Sequence, residues 1–291
     1  MIFVFFVLID IDKLHWLLSH VQVVASLAER YSVAIIGMRN FVDAFNKLLS
    51  PRAATGGDMA KRKISATAKF SVVIWRAVIL IIKLNPNALS VPLRNLVFDR
   101  SVRADYTFIS DASDSIGLAI YNKHSVLVLT TSYKLPYYAH EGKFQNAREF
   151  QGFLLGLILI KTQFNPPMGT TVAIRGDNMS SISWIEKNKA TSSLARVAFL
   201  AYSWVIIITG LHIVTTSHVA GESNEMFDID ALSRERATIN LDNSSFVETS
   251  SNENLNALFR LCDPTRNAQI LPDLMQEFNS VVSCIATVFD S

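Results

Sequence analysis

Three short runs of apolar and β-branched residues follow one another closely after Tyr106, and they restrict the fold more than any other feature. They read YTFISD, GLAIYN and SVLVLTTSY, with only short polar stretches between them. Runs of this length, separated by short polar turns, are typical of antiparallel strands joined by hairpins. The sequence therefore predicts a β-meander that begins at Tyr106.

The segment after the meander predicts alternating helices and strands. A helix is expected over 146–163, with Asn146 as its N-cap and Glu149 in its first turn. A fourth strand over 170–177, two helices, a fifth strand (GLHIVTTSHV) and a short helix around MFDIDALSR follow. The order β-β-β-α-β-α-α-β-α indicates an α/β fold with a mixed five-stranded sheet flanked by helices.

The first hundred residues have a different pattern. Apolar residues recur at helical spacing over 13–49, a breaker-rich basic loop occupies 50–63, and another helix is predicted over 65–84. The apolar positions of the first helix are Leu14, Leu17, Leu18, Val21, Val24 and Leu27. Three regions are therefore expected: a mainly helical segment over 1–100, an α/β domain over 104–236, and a polar linker with C-terminal helices over 237–291.

Basic residues are concentrated in one part of the chain. Between Arg52 and Arg103 there are ten Lys and Arg residues against two Asp, although the net charge of the whole chain is only +2. Such an excess suits contact with a polyanion such as nucleic acid. A solvated loop followed by a helix with ordinary basic residues explains the same composition equally well.

Cysteine usage and hydropathy set the expected compartment. The two cysteines, Cys262 and Cys284, are too few for a disulfide framework or a metal cluster, which indicates a reduced intracellular setting, in the cytoplasm or nucleus. The apolar start, MIFVFFVLIDID, lacks the basic segment and cleavage site of a signal peptide. The apolar runs are too short, or too interrupted, to span a bilayer, so no membrane contact is expected.

Acidic residues stand at the ends of predicted strands and at the starts of predicted helices. Asp111 ends the first strand, Asp177 ends the fourth, and Glu149 lies in the helix between them, while Asp228 and Asp230 open the last helix. If the first and fourth strands are neighbours, their ends bring Asp111 and Asp177 together. Carboxylates so close require cations, and hard oxygen ligands without nearby cysteines favour Mg²⁺ or Mn²⁺. Two such ions suit phosphodiester cleavage.

Each acid also has a purely structural interpretation. Asp111 and Asp177 lie in turn-like contexts, DASDS and GDN, and Glu149 could simply complement a helix dipole. Asp228 and Asp230 could be ordinary charges at a helix start. Taken singly, none of these residues specifies a catalytic site.

Four segments together resemble the RNase H domain of retroelement reverse transcriptases, of the DIRS-like and LTR types. They read SDASDSIGLAIYN, NAREFQGFLLGL, RGDNMSSISWIEKN and HVAGESNEMFDIDALSR, and the resemblance covers about 106–234. It implies an RNase H-like fold and a two-metal, Mg²⁺- or Mn²⁺-dependent endonuclease that cuts the RNA strand of an RNA–DNA hybrid.

The resemblance also implies roles for individual residues. Asp111 would bridge both metal ions, Glu149 and Asp177 would each complete part of the site, and a final Asp would hold the second ion. His218 matches a loop histidine that assists turnover, although a polar residue at a strand end explains it nearly as well.

The fourth acid has two candidates. Counting forward from His218, Gly221 and Asn224 gives Asp228, whereas counting back from the closing Leu-Ser-Arg gives Asp230. We favour Asp230, because the adjoining Ala-Leu-Ser-Arg would fix the packing of the helix.

The region before the domain resembles, more loosely, the thumb and connection of these proteins, in KLHWLLSHV and KFSVVIWRAVILI. No aromatic-x-Asp-Asp hairpin of a polymerase palm occurs in the chain. The chain is therefore interpreted as a C-terminal piece of a reverse transcriptase, with the polymerase portion as a further partner. Two alternatives stay open: a catalytically inactive RNase H-like nucleic-acid-binding module of a degraded polyprotein, and an integrase- or exonuclease-like relative, which the position of Glu149 disfavours.

Overall fold

The computed structural model divides the chain into two compact units, Met1–Ser90 and Val91–Ser291. It describes residues 15–32, 38–49, 61–65, 103–135, 142–190, 209–234 and 245–246, and some helical residues between 68 and 79 and between 199 and 206. The apolar start, both cysteines and the predicted C-terminal helices lie outside the described residues.

The first unit contains helices and one pair of short antiparallel strands. In chain order its elements are β1 (His15–Leu17), α1 (Leu18–Ser32), a 3₁₀ turn (Met38–Phe41), α2 (Asp43–Leu48) and β2 (Lys61–Lys63). The residues described between 68 and 79 are helical, in agreement with the helix predicted over 65–84. Ser65 precedes these helical residues, and its Oγ accepts a hydrogen bond from the Ala68 N–H at 3.1 Å.

Two sequence predictions for this unit are wrong. The helix predicted from residue 13 starts only at Leu18, and the end of the predicted basic loop is a strand, because β1 and β2 pair with each other. Their side chains alternate, so Trp16 and Arg62 are buried while Lys61 and Lys63 are exposed. We call this pair of strands the basic ribbon.

The second unit is built on a mixed sheet, which confirms the predicted α/β architecture. Its strands are β3 (Tyr106–Ala112), β4 (Ser115–Asn122), β5 (Leu127–Lys134), β6 (Thr171–Gly176), β7 (His212–His218) and β8 (Ser245–Phe246). They lie in the order β7-β6-β3-β4-β5-β8. The predicted meander β3-β4-β5 is antiparallel, and β6 and β7 run parallel to β3.

The helices follow the predicted order, with one correction at a helix start. They are α3 (Gln145–Phe164), α4 (Met179–Glu186) and α5 (Asn224–Ser233), and the described residues between 199 and 209 are also helical. Asn146 is not an N-cap, because a 3₁₀ turn over Gly142–Phe144 runs directly into α3. Phe144 occupies the cap position, so Glu149 lies two residues further into the helix than predicted, beyond its first turn.

The sheet is covered by helices on both faces. On one face, α5 contributes Met226, Ile229 and Leu232 to a core that includes Ile109 and Ala119 of the sheet. The core of the other face is aromatic, and α3 comes unusually close to the sheet there. A Cβ at Gly156 would lie 2.6 Å from the ring of Phe108, so only glycine allows this approach.

A sixth strand extends the five that were predicted. Ser245–Phe246 pairs in parallel with Leu129 and Thr130 of β5. These two residues add a strand to the outer edge of β5, so the prediction of a flexible linker is wrong for them. Among the described helices, none has the length and apolar character needed to cross a bilayer.

Candidate metal centre

The parallel pairing of β3 and β6 brings two of the predicted acids to one edge of the sheet. Ile109 of β3 pairs with Arg175 of β6. Two residues beyond this pair, Asp111 lies within β3 and Asp177 directly follows β6. Asp111 is only 7 % exposed. The condition on which the sequence prediction rested, that the first and fourth strands are neighbours, is met.

The third acid reaches the same edge from α3. Glu149 is 3 % exposed, and its Oε1 accepts a hydrogen bond of 2.6 Å from Gln145 Nε2. The same Nε2 also lies 3.1 Å from the carbonyl oxygen of Ala112, at the end of β3. Gln145 therefore ties the carboxylate to both the helix and the strand.

The three carboxylates form one cluster. Asp111, Glu149 and Asp177 each offer an oxygen, and these oxygens lie within 4.8 Å of one another. Burial raises the pKa of Asp111 and of Asp177, and burial together with these two neighbours raises the pKa of Glu149 to about 9. A bound cation would offset the repulsion between the three carboxylates. Three carboxylates without sulfur or imidazole, two of them buried and that of Asp177 half-buried, form a hard donor set that suits Mg²⁺ or Mn²⁺.

A buried arginine compensates part of this charge. Arg148 donates a hydrogen bond to Gln145 Oε1, and its positive charge lowers the pKa of Glu149. Burial outweighs that effect, so the pKa of Glu149 stays raised. Neither Gln145 nor Arg148 was identified from the sequence. The four-residue spacing between Gln145 and Glu149, which places these two side chains on one helix face, was a signal for Gln145.

The last turn of α5 contacts the cluster at Asp111. Ser233 is buried, and its Oγ donates to Asp111 Oδ2 at 2.5 Å. Gly117, which pairs with Asp111 across the β3–β4 ladder, makes room for this turn. A Cβ at Gly117 would lie 2.4 Å from the carbonyl oxygen of Ile229. Neither Ser233 nor Gly117 was identified from the sequence.

The two candidates for the fourth acid differ in position. Asp228 is exposed, whereas the charge of Asp230 contributes to the raised pKa of both Asp111 and Asp177. Asp230 therefore lies on the side of the helix that faces the cluster. Its carboxylate does not belong to the group of three. Its Oδ1 instead forms an ion pair of 2.8 Å with Arg234 Nε, and its side chain is 43 % exposed.

His218 ends β7 close to Asp177. It is exposed, and its charge lowers the pKa of Asp177. It also borders an open groove of about 410 Å³ between α4 and β7, where Thr216 Oγ1 donates to Glu186 Oε1 at 3.0 Å. The histidine is thus accessible from solvent and lies at the rim of the acid cluster.

A polar contact links α4 to the helix that carries Glu149. Asn178, the N-cap of α4, accepts a hydrogen bond from the Ser181 N–H and donates one of 3.0 Å to Asn146 Oδ1. Ser181 Oγ donates to the Asn146 carbonyl at 2.9 Å. Asn146 therefore joins the helices on either side of Asp177 instead of capping its own helix.

No known protein-family model matches the chain, and no curated protein matches it by sequence.

Proposed function

We propose that the chain is a divalent-metal-dependent endonuclease that hydrolyses the RNA strand of RNA–DNA hybrids. The observation that carries this proposal is the cluster of Asp111, Glu149 and Asp177 at one edge of the sheet, with oxygens within 4.8 Å of one another. The mixed sheet with helices on both faces is consistent with the RNase H-like fold that the sequence resemblance implies.

The three clustered carboxylates would hold the metal, and Asp230 would join them at a second position. When bound, two such ions supply an activated water and stabilise the leaving oxygen of the phosphodiester. Gln145 would keep Glu149 oriented toward the ions. His218, exposed beside Asp177, would assist turnover, as the resemblance implies.

Basic side chains would bind the phosphates of the nucleic acid. Lys61 and Lys63 of the basic ribbon are exposed, and they belong to the Lys- and Arg-rich part of the sequence. Such cations contact phosphates without regard to sequence. Selection of RNA would come from contacts to 2′-hydroxyl groups across the minor groove of the hybrid.

In the same proposal, the chain is the RNase H part of a retrotransposon reverse transcriptase, and the preceding helical unit belongs to its thumb or connection. The polymerase portion of that element would be its partner. Co-purification of this chain with a separately expressed polymerase portion tests this.

A second candidate is a nucleic-acid-binding module on the same fold that has lost its activity. The observation that favours it is the position of Asp230, whose carboxylate is paired with Arg234 outside the cluster of three. Such a module would bind hybrids in a salt-dependent way without cutting them.

The experiment that separates the two candidates uses a labelled RNA–DNA hybrid, with Mg²⁺, Mn²⁺ or EDTA. The proposal expects metal-dependent cutting of the RNA strand, which Asp111→Asn and Glu149→Gln abolish. Glu29→Gln is the matched control, since Glu29 is an exposed helical glutamate of the first unit. Hybrid binding without any cutting, at high protein concentration, would establish the second candidate instead.

A further inference from the structure

A buried hydroxyl connects the end of α5 to the acid cluster. Ser233 is 0 % exposed, and its Oγ lies 2.5 Å from Asp111 Oδ2 and 2.9 Å from the carbonyl oxygen of Asp230. A hydroxyl has one hydrogen, so it donates to one of these acceptors at a time. The bond to an ionised carboxylate is the shorter and stronger kind. Asp111 is therefore the favoured acceptor.

This contact depends on the absence of a side chain at Gly117. A Cβ there would lie 2.4 Å from the carbonyl oxygen of Ile229 and 2.7 Å from the Ser233 nitrogen. Any larger residue would push the last turn of α5 away from the strand and move the hydroxyl away from Asp111. Gly117 and Ser233 thus act together on the orientation of one carboxylate.

We propose that Ser233 is a positioning residue of the metal centre, an inference that rests on the metal-binding part of the proposed function. Its hydroxyl holds Oδ2 of Asp111, so the remaining lone pairs of that carboxylate point in a fixed direction before any cation arrives. The terminal torsion of an aspartate is soft. The Ala112 N–H also hydrogen-bonds this carboxylate, and the Ser233 hydroxyl adds a second contact that limits its rotation. The same turn carries Asp230, so the contact also keeps that acid beside the cluster.

Ser132 supplies a matched control. Its Oγ donates to the carbonyl oxygen of Leu232 at 3.0 Å, so it ties the same end of α5 to β5. It makes this bond without touching Asp111. Ser132→Ala therefore removes one hydroxyl and one bond to the same helix turn, as Ser233→Ala does, but leaves the carboxylate contact intact.

The test is a titration of the full chain with Mn²⁺ alone, followed by calorimetry and by the electron paramagnetic resonance signal of free Mn²⁺. Loss of a hydrogen-bond partner of a metal ligand typically weakens metal binding by about 10–100-fold, and we expect that loss for Ser233→Ala. Ser132→Ala is expected to bind Mn²⁺ like the wild type. Wild-type affinity in Ser233→Ala, or an equal loss in Ser132→Ala, would overturn the proposal.

Circular dichroism establishes that each variant is folded. If Ser233→Ala does not fold, Ser233→Cys replaces it, because cysteine keeps the volume but is a weak donor. Weakened Mn²⁺ binding by the folded cysteine variant supports the proposal, and wild-type affinity overturns it. Absence of hybrid cleavage alone overturns only the proposed activity, whereas a wild-type chain that binds no Mn²⁺ overturns both.

Discussion

Replacing Glu149 by glutamine should stabilise the metal-free chain, and the gain should grow with pH. Burial and two neighbouring carboxylates raise the pKa of Glu149 from 4.5 to about 9. Between these values the folded state binds more protons than the unfolded state, so stability falls as pH rises. Glutamine does not titrate, yet its side-chain oxygen can still accept the bond from Gln145.

The expected size follows from the shift. At 1.36 kcal/mol per unit, a rise from 4.5 to about 9 costs the native state about 6 kcal/mol above pH 9 and about 3 kcal/mol at pH 7. Below pH 4.5 the cost disappears, because the carboxyl is protonated in both states. The raised pKa of Asp111 and of Asp177 also makes stability fall as pH rises, and it does so in the wild type and in Glu149→Gln alike.

The assay is urea unfolding in EDTA between pH 4.5 and 8.5, followed by circular dichroism. We expect Glu149→Gln and wild type to have similar stability at pH 4.5 and to differ by about 3 kcal/mol at pH 7. Saturating Mg²⁺ should narrow or reverse this difference, because the ion binds the native wild-type site. Asp228→Asn is the control, since Asp228 is exposed. A difference between Glu149→Gln and wild type that stays constant with pH would refute the reasoning.

Three further predictions concern the surroundings of the cluster. Gly117→Ala should destabilise the chain by about 1–3 kcal/mol in urea unfolding, because the added Cβ would lie 2.4 Å from the Ile229 carbonyl oxygen. Asp230→Asn should reduce hybrid cleavage far more than Asp228→Asn, because only Asp230 faces the cluster; equal losses in both would contradict the assignment. Replacing both lysines of the basic ribbon by glutamate should weaken hybrid binding and reduce its salt dependence, by about one unit of log–log slope per lost phosphate contact.

Two of these predictions have matched controls. Gly142→Ala should leave stability unchanged, because a Cβ at Gly142 meets no atom within 4 Å. Lys47→Glu combined with Lys123→Glu makes the same change of charge at exposed lysines outside the ribbon, in α2 and in the β4–β5 turn. An equal loss of salt dependence in that double variant would show that the ribbon has no special role.

Local periodicity was enough to predict the strands and helices in which it is strong. The three runs after Tyr106 became the antiparallel meander because alternating β-branched and apolar residues can bury one face of a strand or both. The acids at the strand ends were equally visible, and the parallel pairing of β3 with β6 brought Asp111 and Asp177 to one edge. Local patterns sufficed there because the spacing of apolar residues along a strand or helix shows which of its faces are buried.

Features that depend on contacts between residues distant in sequence could not be predicted in this way. Asn146 had the composition of an N-cap, but a preceding 3₁₀ turn moved the helix start and gave Asn146 contacts to α4 instead. The β1–β2 and β5–β8 pairings needed partners far along the chain, so no local signal predicted them. The contact of Ser233 with Asp111 spans 122 residues and exists only because Gly117 lets a helix reach the strand. Close packing between distant segments, which no local pattern encodes, therefore set the geometry of the candidate site.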